Sequence, residues 1–76
     1  MFVILVYDVG EKRVTKVLKT ARKHLYWVQN SVLEGNISES SFKQLKVELE
    51  KIIDEDYDSV IFYTFRTTKY SDREIM

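Results

Sequence analysis

The 76-residue chain has no cysteine, no proline and only two glycines. Without cysteine there is no disulfide and no thiolate metal site. The one histidine, His24, is too few for a structural zinc centre. Gly10 and Gly35 lie far apart, so no phosphate-cradling glycine loop exists. No Ser/His/Asp set is identifiable. The longest apolar run, Phe2 to Tyr7, falls far short of the ~20 residues that span a bilayer. It also lacks the basic flank of a signal peptide. A cytoplasmic protein with no membrane partner is expected. A single domain of this size buries only about 60% of its unfolded surface. With disulfide and zinc staples excluded, association with a second copy is the expected stabiliser.

What is present reads as alternating strands and helices. Phe2-Val3-Ile4-Leu5-Val6-Tyr7 is a β-favouring run, apolar on both faces. Val14, Val17, Leu18, Ala21 and Leu25 recur at helical spacing and predict an amphipathic helix from about Lys12 to His24. The aromatic and β-branched segment Leu25 to Glu34 reads as a strand or tight hairpin turning near Asn30-Ser31. Ser38 is an N-cap for a second helix, with Glu39 in its first turn and Phe42, Leu45, Leu49, Ile52 and Ile53 as its buried stripe. Asp54 to Asp58 reads as an acidic loop, and Val60 to Phe65 as another apolar strand. Residues 66 to 76 are expected as a tail or a truncated C-terminal strand.

The order β-α-β-β-α-β is that of the ferredoxin-like unit, an α+β fold. Its four-stranded antiparallel sheet carries two helices on one face. The first and last strands are expected at the centre of that sheet. Both are apolar on both faces, and two helices cover only one. A free apolar face several strands wide exceeds what monomers tolerate. Either the tail or a second copy must cover it, and the second copy is the simpler cover. A homodimer packed through the helix-free face is therefore expected.

The net charge is zero, yet the charges are segregated. Lys12, Arg13, Lys16, Lys19, Arg22 and Lys23 are half of the 12 basic residues. The acids gather at Glu48, Glu50, Asp54, Glu55, Asp56 and Asp58. The basic run reads as a solvated helix face or as a set of phosphate contacts. Lys12, Arg13, Lys16 and Lys19 are the candidate nucleic-acid-binding residues. Tyr7 could stack on a base, although packing is the commoner role of a strand residue. The aromatics Tyr26 and Trp27, which lie with Gln29 on the second strand, face the same choice. His24 suits the C-terminal end of a helix dipole. Asp8 closes the first strand. It either caps the following helix or offers hard oxygen ligands to Mg²⁺ or Mn²⁺. One carboxylate makes a poor site, and two copies of Asp8 across a dimer axis make a better one. Metal-assisted phosphodiester cleavage would then be open to it.

Several segments together resemble the CRISPR-associated endoribonuclease family (Cas-two). They are the strand ending in Tyr7-Asp8-Val9 and the basic helix opened by Lys12-Arg13. The stretch Trp27-Val28-Gln29-Asn30-Ser31-Val32-Leu33-Glu34-Gly35 follows, and then Asp58-Ser59-Val60-Ile61-Phe62-Tyr63. The resemblance covers residues 1 to about 66. It implies a homodimer with sheets face to face and Asp8 as the metal-binding, catalytic aspartate. It implies a Mg²⁺-dependent nuclease for RNA or double-stranded DNA, and a scaffold between subunits of the CRISPR integrase during spacer acquisition. Trp27 stands where some members have arginine, and Leu33 where many have phenylalanine. The family usually continues past the position of Met76 into a strand that pairs with the partner subunit. A toxin-type ribonuclease shares the fold and the Tyr-Asp strand end. A non-catalytic regulatory module shares the topology but normally has a glycine-rich effector loop. An RNA-recognition motif lacks its aromatic signature here.

Overall fold

A computed structural model describes residues 1–66. The elements are β1 (Phe2–Asp8), α1 (Glu11–Ala21), β2 (Tyr26–Gln29), β3 (Val32–Asn36), α2 (Glu39–Glu50) and β4 (Ser59–Phe65). They form the expected α+β, ferredoxin-like arrangement: one four-stranded antiparallel sheet in the order β2-β3-β1-β4, with both helices packed on one side. The expectation for the C-terminal tail lies outside the described residues. Among the described residues no helix is long and apolar enough to cross a membrane.

One feature of the sheet differs from expectation. The central strands are β1 and β3, and β4 is an edge. The cause is the β2–β3 hairpin. Asn30 turns it in the left-handed region, at φ 41°, a conformation that asparagine tolerates better than most residues. The hairpin then returns β3 along β1, with Leu33 opposite Leu5 and Gly35 opposite Val3. Leu33 is completely buried, whereas no residue of β4 is.

The core lies between the sheet and the helices. Val3, Leu5 and Tyr7 alternate inward from β1 and meet Leu33, Val17, Ala21, Leu25, Leu45 and Leu49. Val60 and Phe62 of β4 pack against the same cluster. The α1 helix begins at Glu11 and ends at Ala21, before rather than at His24. The α2 helix starts where Ser38 predicts: its Oγ accepts the Ser41 amide at 3.1 Å. Leu45 and Leu49 are its buried stripe, while Ile52 and Ile53 pack beyond its last turn.

The odd-even alternation of β1 fixes what lies on the other side of the sheet. Phe2, Ile4, Val6 and Asp8 face away from the helices. In register beside them on β4 are Phe65, Tyr63, Ile61 and Ser59. The rings of Phe2 and Phe65 lie 6.2 Å apart. Ile61 and Tyr63 are 46% and 51% exposed. Apolar side chains on both faces of the first and last strands are thus observed, and the helix-free face has no cover among the described residues.

Candidate functional site

Asp8 is the last residue of β1 and is exposed. It pairs with Ser59 at the start of β4, at the end of the apolar band on the helix-free face. It does not cap α1: Gly10 is the N-cap, with no side-chain capping bond. No hydrogen bond or ion pair engages the Asp8 carboxylate among the described residues. Its two oxygens are therefore available as hard ligands, the type preferred by Mg²⁺ and Mn²⁺.

Two residues follow before α1 starts, so Lys12 lies in the first turn of that helix, at the Asp8 end of the sheet. Lys12, Lys16 and Lys19 recur at spacings of four and three on the exposed side, opposite buried Val17 and Ala21. They form a stripe about 10 Å long at 1.5 Å per residue. Lys23 continues it in the turn beyond the helix. None of these ammonium groups pairs with a carboxylate among the described residues. Lys12 lies close to Asp8 along the chain, whereas Lys16 and Lys19 run away from it over the helix layer.

Two candidates from the sequence do not fit that surface. Tyr7 is 4% exposed and belongs to the core, so it packs rather than stacks on a base. Burial pushes its hydroxyl above the ordinary tyrosine pKa, against an opposing hydrogen bond with Ser31. Arg13 is not a free phosphate contact. Its Nε and Nη2 donate to the two Asp58 oxygens at 2.5 and 2.9 Å. This bidentate pair consumes the charge that the sequence offered to nucleic acid.

Asp58 is the residue that sequence reasoning missed, because it closes a run of acids that looks like ordinary solvated loop. Its side chain is fully buried. Besides Arg13 it accepts the Gly10 amide at 2.8 Å and the Asp54 amide at 2.8 Å. The Arg13 guanidinium, helped by those two amides, holds its carboxyl well below the usual carboxylate range despite burial. The acidic loop is a compact turn around this group: the Asp58 amide donates to the Asp54 carbonyl at 2.7 Å, and the Asp56 amide to Asp54 Oδ1 at 3.0 Å. The available signal was the pairing itself. Antiparallel β1 and β4 bring the residues after Asp8 beside the residues before Ser59.

The aromatic edge is also partly committed. Trp27 is half-exposed, its Nε1 donates to the Asn30 carbonyl at 2.9 Å, and the Arg22 guanidinium lies 5.8 Å from its ring. Tyr26 is 79% exposed. His24 follows α1 and places Nε2 3.5 Å from Glu48 Oε2 on α2, a contact between helices.

Residues 1–73 match the family described as CRISPR associated protein Cas2. The chain is 63% identical over 76 residues to the CRISPR-associated endoribonuclease Cas2 of Dictyoglomus turgidum, covering 100% of this chain and 87% of that protein. It is 54% identical over 76 residues to the protein of the same name from Thermotoga maritima, with the same coverage. Among solved structures, a crystal structure of Cas2 superposes with a TM-score of 0.89 at 41% identity, covering 100% of this chain and 85% of that one. Streptococcus pyogenes Cas2, crystallised at pH 6.5, gives 0.82 at 31% identity, with both chains covered completely. A family match over nearly the whole chain, together with close relatives of the same fold, shows that this chain belongs to the Cas2 family of CRISPR-associated proteins.

Proposed function

We propose that the protein is a homodimeric nucleic-acid-binding subunit of CRISPR adaptation, an adaptor for the spacer integrase, and a divalent-cation-dependent endonuclease. Membership of the Cas2 family favours this over a toxin-type ribonuclease or a regulatory module. Relatives are named endoribonucleases, which supports RNA as a substrate; duplex DNA is the substrate that the adaptor role requires.

The observation that carries the catalytic reading is the position of Asp8. It is an exposed carboxylate, free of partners among the described residues, on the same sheet face as the uncovered band of Phe2, Ile4 and Val6. Packing two copies through that band about a twofold axis makes every contact self-complementary and brings each Asp8 to the interface. Among the described residues one chain has no cluster of three metal-ligating side chains. Two Asp8 carboxylates, with water and phosphate oxygens, satisfy the usual Mg²⁺ requirement. The donor chemistry therefore fits Mg²⁺ or Mn²⁺ in the dimer. An ion held there would supply Lewis-acid polarisation of a phosphodiester and activation of a water. Lys12 draws a backbone phosphate toward the Asp8 end of the sheet, and Lys16 and Lys19 hold the strand further along α1.

The lysine stripe also supports binding without cleavage. It lies on the helix layer, away from the sheet face that carries Asp8, so an adaptor role needs the stripe and the dimer but not the carboxylate.

Cleavage of labelled RNA and duplex DNA in Mg²⁺ or Mn²⁺ separates the two. Metal-dependent cutting by the native dimer, lost in a dimeric Asp8→Ala variant, is the expected result. Equal cutting by the variant would remove Asp8 from catalysis. Binding without cutting by the native dimer would leave the adaptor role alone.

A further inference from the structure

The loop that carries Asp8 into α1 is held by a buried group 48 residues further along the chain. We infer that Asp58 and Arg13 are positioning residues, which fix the Asp8 carboxylate for its cation by clamping the β1–α1 loop to the start of β4. The inference rests on Asp8 being the metal-binding carboxylate.

The clamp is over-determined. Four donors converge on one buried carboxylate: the Gly10 amide, Arg13 Nε, Arg13 Nη2 and the Asp54 amide. Asp58 thus bonds the chain two residues after Asp8. It is also joined covalently to Ser59, the residue that pairs with Asp8 across the strands. The backbone that carries Asp8 is therefore held on both sides, by the ladder and by the bond to Gly10. The packing leaves little slack. A Cβ placed on Gly10 would lie 2.5 Å from Arg13 Nη2 and 3.5 Å from Asp58 Oδ1. A methyl group there would push the guanidinium from its place over the loop. A rigid surround matters because a carboxylate displaced by about 1 Å can lose a hundredfold in rate. Residues that orient metal ligands typically contribute 10- to 100-fold in metal affinity or activity.

The same geometry separates this role from phosphate binding. A free Arg13 would act on nucleic-acid affinity and its salt dependence. A clamped Arg13 acts on metal affinity and turnover.

The test compares native protein with Asp58→Asn, Arg13→Lys and Asp8→Ala, each verified as a folded dimer at the assay temperature. Asparagine turns an NH₂ group toward donors, and lysine cannot reproduce the fork. Three quantities are read: Mn²⁺ affinity by paramagnetic resonance, kcat against KM, and amide exchange at Val9 and Gly10. The clamp predicts faster exchange at Gly10, an about 10- to 100-fold loss in Mn²⁺ affinity and kcat, and KM within about twofold of native. Should Asp58→Asn prove too unstable to dimerise, Arg13→Lys carries the same prediction at smaller amplitude. Native Mn²⁺ affinity and kcat in these variants, with both lost in Asp8→Ala, would overturn the positioning role alone. Native behaviour in Asp8→Ala would overturn the metal reading, and the positioning role with it. A raised KM with unchanged kcat in Arg13→Lys would instead make Arg13 a phosphate contact and overturn the clamp.

Discussion

Replacing Lys12, Lys16 and Lys19 together by glutamine removes three charges from one helix face. Glutamine keeps nearly the same helix propensity, so α1 should persist. The three ammonium groups are exposed and have no carboxylate partner among the described residues, so no fold-stabilising pair is broken. A duplex carries one phosphate per about 3.4 Å of each strand, so the stripe of about 10 Å matches roughly three phosphates. Each contact contributes about 0.9 to the slope of log affinity against log salt for duplex DNA, and about 0.7 for a single strand. The slope should therefore fall by about 2.7 for every α1 helix that touches a duplex, or about 2.1 on single-stranded RNA. Referred to equal affinity at 1 M salt, the duplex figure is a loss of about 500-fold at 0.1 M. Fluorescence anisotropy of labelled duplex and single-stranded RNA over a salt series measures both quantities. A slope unchanged within about 0.5 would mean that the stripe is only a solvated helix face.

Two further outcomes follow from the fold. Ile4→Glu adds a charge to the helix-free band beside Glu34 and Tyr63, and should yield a folded monomer by analytical ultracentrifugation. A persistent dimer would place the interface elsewhere. The depressed Asp58 carboxyl gives a pH dependence of known sign. Unfolded, the group titrates near 3.8; folded, it titrates lower. Its stabilisation is complete above the unfolded value and is lost as pH falls toward the folded one. Thermal unfolding of the native protein should exceed that of Asp58→Asn at neutral pH, and the gap should narrow below about pH 4. A constant gap down to acid pH would show that the Arg13 pair does not control this titration.

Much of this architecture is legible in the residues, because local rules and burial agree. The β1 run, the α1 stripe of Val17 and Ala21, and the Ser38 cap each signal their element directly. Asn30 marks the hairpin turn by its tolerance of positive φ. The strand order is less legible. Val60 to Phe65 is as apolar as β1, and composition alone cannot distinguish an edge strand from a central one. Asp8 stands out as the sole acid at the end of an apolar strand. Tyr7 beside it points to the opposite face by strand alternation, which is why one is exposed and the other buried. Along the sequence Arg13 and Asp58 belong to a basic run and an acidic run. Their pairing appears only once β1 and β4 are antiparallel neighbours, since 45 residues separate them. Charge counts along a chain do not reveal which charges neutralise each other in space.

The central claim is that two Asp8 carboxylates, one from each protomer, hold one cation. Dimers reassembled from native and Asp8→Ala chains in equal amounts test it most directly, with cleavage rate read at fixed total protein. If both carboxylates are required, only fully native dimers cut, and activity should fall to about one quarter of native. If each Asp8 acts alone, activity would be about one half, and the paired-aspartate site would be contradicted.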